Sequence, residues 1–240
     1  MRIDAKAMGY QELNREIRQA EDTDIIVEHC LGQRYIASGL SGKSISVYGT
    51  PGNALGAYLD GCRIIVQGNA QDALGDTMND GTIIVHGSVG DAAGYAMRGG
   101  KIFIKNDAGY RSGIHMKQYQ DKVPVLVIGG SAGSFLGEYQ AGGHIIVLGL
   151  DKPGQIPVGN FCGTGMHGGR IYLRCGHVPH DLPAQVEARL AQEADMEPIV
   201  PALQEYCAAF GLVYADILQH PFFVLTPNTK NPYRQLYTAN

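Results

Sequence analysis

The side chains that could do chemistry are few and scattered. Gly163-Thr-Gly-Met-His-Gly168 has the spacing GxGxxG, which in a dinucleotide site lets backbone approach a pyrophosphate at a helix N-terminus. That use needs a strand before the motif and a helix starting within it. Here the strand-like Gly169-Arg-Ile-Tyr-Leu-Arg174 follows instead, so the glycines read as corners where a side chain would be excluded. Cys175, His177, His180 and Asp181 crowd a seven-residue stretch with ligand-type side chains. C-x-H-x-x-H is not a well-attested zinc spacing, and a polar linker accounts for the same residues; whether the stretch binds a metal stays open at this level. Cys162 near His167, and Cys30 beside His29, could each make a thiol–imidazole pair. A nucleophile also needs a third, orienting group and an oxyanion site. Cys162 moreover stands in a spaced series with Ile36, Leu55, Leu74, Ala93, Ser112 and Leu136, the setting of a small buried residue.

A second polar group is of another kind. Tyr95-Ala-Met-Arg98, Tyr110-Arg-Ser-Gly-Ile-His-Met-Lys117 and Glu138-Tyr139 mix Tyr, Arg, His and Glu where the sequence pattern is least regular. Arg98, Tyr110, Arg111, His115, Lys117, Glu138, Tyr139 and His167 are the candidate partner interface, because Tyr and Arg are over-represented in protein contacts. An anion site and solvated corner charges are the competing readings.

The element that must position these residues is a repeat. Ile45, Ile64, Ile83 and Ile102 are spaced by 19, as are Gly56, Gly75, Gly94 and Gly113. The phase slips by five around Lys117 to Lys122, and by seven around Asp151 to Pro157, like two loops let out of a regular coil. Each repeat has one strand of about five residues and a glycine-rich return, too short for a crossover helix. A fixed period near 20 with one strand per repeat marks a solenoid. The expected fold is therefore all-β, a parallel β-helix with 19-residue coils. Ile45, Ile64, Ile83, Ile102, Leu126, Ile145 and Ile171 should face inward. The methionine-rich column Leu40, Leu59, Met78, Met97, Met116, Gln140, Met166 reads as core filler rather than as a soft-metal site. The outward column Ser46, Ile65, Ile84, Phe103, Val127, Ile146, Tyr172 is apolar after its first member and requires a cover.

The flanks divide the chain into residues 1–24, 25–176 and 177–240. The first holds an amphipathic helix over about residues 9–21 that should cap the solenoid. Ile26, which lies 19 before Ile45, marks the first strand. In the last part, helices are expected over Ala184 to Asp195 and over Ile199 to Phe210. This extension, with Leu190, Phe210, Phe222 and Phe223, should pack on the outward column, followed by the tail Asn231 to Tyr237.

Composition narrows the function. The net charge is −4 and no basic run occurs, which argues against a nucleic-acid partner. The five cysteines lack a CxxC pair, against both a disulfide framework and a self-contained iron–sulfur cluster. With no basic-then-apolar leader and no apolar run near 18 residues, the expectation is a cytoplasmic protein without a membrane partner, with room for a homo-oligomer.

Gly137-Glu-Tyr-Gln-Ala-Gly-Gly-His-Ile-Ile-Val-Leu-Gly149 and Gly159-Asn-Phe-Cys-Gly-Thr-Gly-Met-His-Gly-Gly169 resemble the C-terminal β-helix domain of the glutamate synthase large subunit, in the GXGXG family. Gly49-Thr-Pro-Gly-Asn53 and Gly113-Ile-His-Met-Lys117 further resemble its stand-alone version. The resemblance implies a right-handed β-helix working with a glutamine amidotransferase subunit and an FMN-dependent glutamate synthase subunit. FMN and an iron–sulfur cluster would belong to that partner. No catalytic residue of the family maps onto this sequence, so the chain is expected to carry no active site and no cofactor of its own. It would be an architectural subunit of a complex that moves the amide nitrogen of glutamine to 2-oxoglutarate. The alternative keeps the fold and changes the complex: the glycine-rich β-helix subunit of a formylmethanofuran dehydrogenase or of a formyltransferase/hydrolase complex.

Overall fold

The computed structural model describes residues 1–228, so the expected tail segment from Asn231 to Tyr237 lies outside the described residues. Strand β1 (Arg2–Asp4) and helix α1 (Tyr10–Gln19) open the chain. Then follow β2 (Asp24–Leu31), β3 (Ser44–Thr50), β4 (Asp60–Val66), β5 (Asp80–Val85), β6 (Lys101–Ile104), β7 (Val125–Ile128), β8 (Ala141–Val147) and β9 (Gly168–Arg174). These strands lie side by side in chain order, all parallel, in one open sheet. Its far edge is completed by β11 (Phe222–Pro227), antiparallel to β9, and then by β10 (Val186–Leu190), antiparallel to β11.

The register follows the spacing of the isoleucines. Ile45 faces Ile64, Ile64 faces Ile83, and Ile83 faces Ile102. The two longer steps pair Ile102 with Leu126 and Ile145 with Ile171. The returning segments stack too, through parallel bridges that run Ala70, Val89, Ala108, Ala132, Val158. The inward column is fully buried, and Met78, Met97, Met116 and Met166 are buried with it. The first inserted loop closes with paired hydrogen bonds between Tyr119 and Lys122. Lys122 then reaches back to Asp80 at 3.1 Å and Asp60 at 3.6 Å.

At the start of the chain, β1 precedes α1, where the sequence suggests a helix alone. Helix α1 buries Leu13 and Ile17 and sets its polar groups on the first repeat: Asn14 donates to Arg34 O at 2.9 Å and Arg18 to Ser38 O at 2.7 Å. Carbonyls that no further repeat would meet thus gain donors. The first strand also departs from the expected phase. Ile25, not Ile26, faces Ile45. An extra residue is taken up at the bulge after Val27, where His29 adopts φ 55°, so pairs before it are spaced by 20 and pairs after it by 19. One position exchanges the two faces of a strand; Ile25 is buried and Ile26 only half-buried.

The C-terminal part corrects the sequence reading more strongly. Residues 184–195 are not a helix. Val186–Leu190 is strand β10, hydrogen-bonded in register to β11, and only Glu193–Met196 (α2) turns helical. Good helix formers yield here to long-range sheet pairing, with β10 as the outer partner of β11, the strand that covers the β9 edge. A 3₁₀ turn (Glu197–Ile199) leads into α3 (Val200–Phe210), and α4 (Tyr214–Ile217) follows.

Helix α3 lies on the outward column. Ile84, Phe103, Val127, Ile146 and Tyr172 form one buried cluster with Ile199, Leu203 and Tyr206. Leu190, by contrast, is 56% exposed, and Phe223 packs on the inward core, so neither serves as a cover. Three polar contacts fix the cover. Tyr206 donates to Ile104 O at 3.2 Å. Arg174, buried without a carboxylate, donates to Ile217 O at 2.7 Å and Leu148 O at 3.2 Å. Asp195 accepts both guanidinium nitrogens of Arg189 at 2.5 and 2.7 Å, which holds its carboxyl down at about 2. No helix among the described residues is long and apolar enough to cross a membrane.

One glycine tests the seat of α3. A Cβ at Gly129 would fall inside contact distance of both Lys105 O and Tyr206 Oη, and no positive φ is involved, so alanine is excluded by space alone. Gly129→Ala should cost about 3 kcal/mol, at the upper end of overpacking penalties, in urea unfolding of the full chain. An unchanged midpoint would mean that Tyr206 does not seat there.

Candidate functional site

The returning segments place the candidate residues, and they do so with an unusual backbone. Each return holds three left-handed residues in alternate positions. The first column is Tyr35, Ala54, Ala73, Ala92, Arg111, Phe135, Phe161; the second is Ala37, Gly56, Gly75, Gly94, Gly113, Gly137, Gly163; the third is Gly39, Tyr58, Thr77, Ala96, His115, Tyr139, Gly165. The middle column faces the core, where a Cβ at Gly56 would come within 2.6 Å of Ile83 Cδ1, so glycine dominates it. The flanking columns point outward and admit side chains, each at roughly 1–2 kcal/mol of left-handed strain.

In the C-terminal half these flanking positions carry an exposed aromatic patch. The His115 and Tyr139 rings stack at 5.2 Å and 12°, and Tyr95 meets His115 edge-on at 5.9 Å. Phe135 and Phe161 stack at 5.0 Å, with the Arg111 guanidinium 5.4 Å from the Phe135 ring centre. Arg111 also pairs with Glu138 at 3.5 Å. A Cβ at Gly165 would strike the Tyr139 ring, so that ring lies flat on the last return. Tyr110 and Phe161 are 58% and 50% exposed, on a surface held by strained backbone.

Of the residues singled out in the sequence, Arg111, His115, Glu138 and Tyr139 come together here, with Tyr110 beside Arg111 in the same return. Arg98, Lys117 and His167 occupy a neighbouring column, where their amides donate to Met78, Met97 and Gln140. His167 Nδ1 lies 3.2 Å from Gly165 O. Sequence reasoning missed Phe135 and Phe161. Their signal was present: they follow Arg111 by the same steps of 24 and 26 that separate Ile102, Leu126, Ile145 and Ile171 once the regular step of 19 is taken out.

The other chemical candidates are not assembled. Gly168 begins strand β9, so no helix N-terminus faces the GxGxxG turn. All five cysteines are free and buried. Burial pushes the Cys162 thiol up to about 12 and the Cys30 thiol up to about 11. His29 turns to Asp4 at 2.9 Å, away from a role as base for Cys30. Cys175 Sγ is engaged with His177 O at 3.2 Å, and the His177 and His180 rings lie 5.7 Å apart. Among the described residues no three His, Cys, Asp or Glu side chains gather into a metal-holding group.

Three similarities bear on this arrangement. The GXGXG motif family matches residues 11–226. An uncharacterized protein of Methanocaldococcus jannaschii is 48% identical over 252 aligned positions, which cover 99% of this chain and 96% of that protein. Among solved structures, a chain of the formyltransferase/hydrolase complex of Methylorubrum extorquens, determined with methylofuran, superposes with a TM-score of 0.63. That likeness covers 92% of this chain and 88% of the other at 20% identity, and is one of fold.

The burial of the thiols gives a direct expectation. In native protein at pH 8, a chromogenic disulfide reagent should titrate less than one thiol per chain in the first minutes, and all five after unfolding. Rapid native reaction at Cys162 or Cys30 would show an accessible, activated thiol.

Proposed function

The chain belongs to the GXGXG motif family, and from that premise we propose that it is a non-catalytic, architectural subunit of a multisubunit enzyme complex. In this reading residues 25–176 form a right-handed parallel β-helix of 19-residue coils, residues 1–24 cap one end, and residues 177–240 are a C-terminal extension whose described part, 177–228, packs along one side. Support comes from the regular parallel register, the second set of bridges through the returns and the seat of α3 on the outward column. Such a stack is stiff along its axis, because every repeat is hydrogen-bonded to two neighbours, and a stiff spacer can hold two active sites in fixed relation. The observation that carries the reading is the aromatic patch around Arg111. Strained left-handed positions that could carry glycine instead carry Phe, Tyr, His and Arg at the surface, as expected where side-chain contact with a partner offsets the strain.

The partner complex we favour is of the formyltransferase/hydrolase or formylmethanofuran dehydrogenase type, with this chain in the place of its glycine-rich β-helix subunit. The fold likeness over most of both chains supports that assignment. A glutamate synthase-like complex, with amidotransferase and FMN-dependent synthase partners, is the second reading; the paired glycine motifs at 137–149 and 159–169 favour it. A cytoplasmic setting suits both.

Affinity purification of the tagged chain from its source organism, with identification of the bound subunits, tests all of this. A molybdenum or tungsten protein or a formyltransferase/hydrolase partner is expected, and a flavin and iron–sulfur protein would select the second reading. Arg111→Ala with Tyr139→Ala should release the partner while leaving the melting temperature within about 2–4 °C of wild type, the shift for roughly 1 kcal/mol in a chain of this size. Recovery of the chain alone, or unchanged recovery of the partner by the double variant, would contradict the proposal.

A further inference from the structure

A cavity of about 370 Å³ lies where the returns that follow β5, β6 and β7, the loop after β8 and the C-terminal end of α3 meet. Its apolar lining comes from Phe210, Leu212 and Leu150 together with Tyr206. These walls are held in place. Phe210 meets Tyr206 edge-on at 4.7 Å and His86 at 5.2 Å. Gly211 then takes φ 66° and turns the chain so that the Leu212 amide bonds back to Cys207 O at 2.9 Å. The lining also brings charge of both signs, from Lys105, Asp107 and Asp151.

The charges are not used up on one another. Among the described residues no ion pair joins Lys105 to either carboxylate, and the ion pair that Asp151 makes is with Lys152 at 3.6 Å. One oxygen of Asp107 accepts the Ser131 amide at 2.7 Å, which orients the carboxyl and leaves the second oxygen for another donor. Backbone groups along the cavity are already paired: the amides of Gly129 and Gly130 donate to Ile104 O and Asn106 O, and Tyr206 Oη is spent on Ile104 O. Recognition in this space therefore falls to the side chains, the three charged groups with the Asn106 amide and Ser88 hydroxyl beside them, and to the apolar wall.

A ligand that satisfies this set carries one anionic group, one cationic group and an apolar body, in a volume at the small end of the roughly 300–1,000 Å³ of ligand sites. We propose that the cavity binds a small zwitterion, an α-amino acid with an apolar side chain, its carboxylate on Lys105, its ammonium on Asp107 and Asp151, and its side chain against Phe210 and Leu212. The site is independent of the architectural role. Because its walls come from both the sheet and the C-terminal helix, occupancy would also fasten that helix to the sheet.

The test uses the full chain and three probes of similar shape in amide-resolved NMR titrations: L-leucine, 3-methylbutan-1-amine, which lacks the carboxylate, and 4-methylpentanoate, which lacks the amine. L-leucine should give saturable shifts at Gly129, Gly130 and Leu212 at millimolar concentration. Each single-charge analogue should bind about tenfold or more weakly, the loss expected for one charged hydrogen bond. Lys105→Met and Asp151→Asn, both at exposed positions, should each weaken leucine by a similar factor with unchanged melting. Absence of saturable shifts with leucine, equal binding of the analogues, or wild-type affinity in both variants would overturn the site.

Discussion

The structure depends on how the returning segments satisfy their backbone. In the return that contains Gly56, the amides of Ala54 and Tyr58 donate forward to Asp72 O and Asp76 O, while the amide of Gly56 donates back to Ile36 O. The next return repeats the pattern: Ala73 and Thr77 donate forward to Asp91 O and Tyr95 O, and Gly75 donates back to Leu55 O. Alternate left-handed residues turn successive amides to opposite neighbours. A segment that would be an ordinary loop thus becomes a second hydrogen-bonded ladder beside the strands, with its amides paired repeat to repeat. The constraint also fixes the composition. A middle position facing the core is glycine in every return but the first, where Ala37 stands, whereas a flanking position facing solvent can hold any side chain that repays its strain.

Much of this was legible in the sequence and some was not, for physical reasons. The inward columns were plain because a fixed spacing of isoleucines reports burial directly, and the two irregular steps were plain as breaks in it. The left-handed columns were only half visible. Gly56, Gly75, Gly94 and Gly113 announce the middle position, but the flanks are written in Ala, Tyr, Thr, Arg and Phe, which carry no mark of positive φ. Hence Arg111, His115 and Tyr139 were found as a polar cluster, while Phe135 and Phe161 were overlooked. The shift of Ile25 for Ile26 arose at a bulge whose extra residue, His29, has no glycine signature. Val186–Leu190 read as helix because propensity is local, whereas its strand pairing depends on a segment some 35 residues later.

The C-terminal part explains the apolar outer column. Phe103, Val127, Ile146 and Tyr172 are covered by α3, and the seat is specific. Gly129 makes room for Tyr206, Lys101 pairs with Glu205 at 2.6 Å, and Arg174 takes the carbonyls at the end of α4. The cover reaches back only to Ile84; Ile65 is half-buried, and Tyr48, further out on the same face, is 48% exposed. The C-terminal part of that side of the sheet is thereby closed within the chain, and the strained aromatic returns around Arg111 are the most distinctive surface left for a partner.

The central claim is that outward left-handed positions are strained and kept for what their side chains contact. The most direct measurement compares two neighbouring alanines in one return. Ala92 is left-handed with φ 58°, and Ala93 is not left-handed and is 1% exposed. Ala92→Gly should relieve about 1 kcal/mol and raise the melting temperature by about 2–4 °C, while Ala93→Gly should lower it through lost burial and added chain entropy. If Ala92→Gly lowers the melting temperature as Ala93→Gly does, the return is not built on alternating left-handed residues and the reading of its surface fails with it.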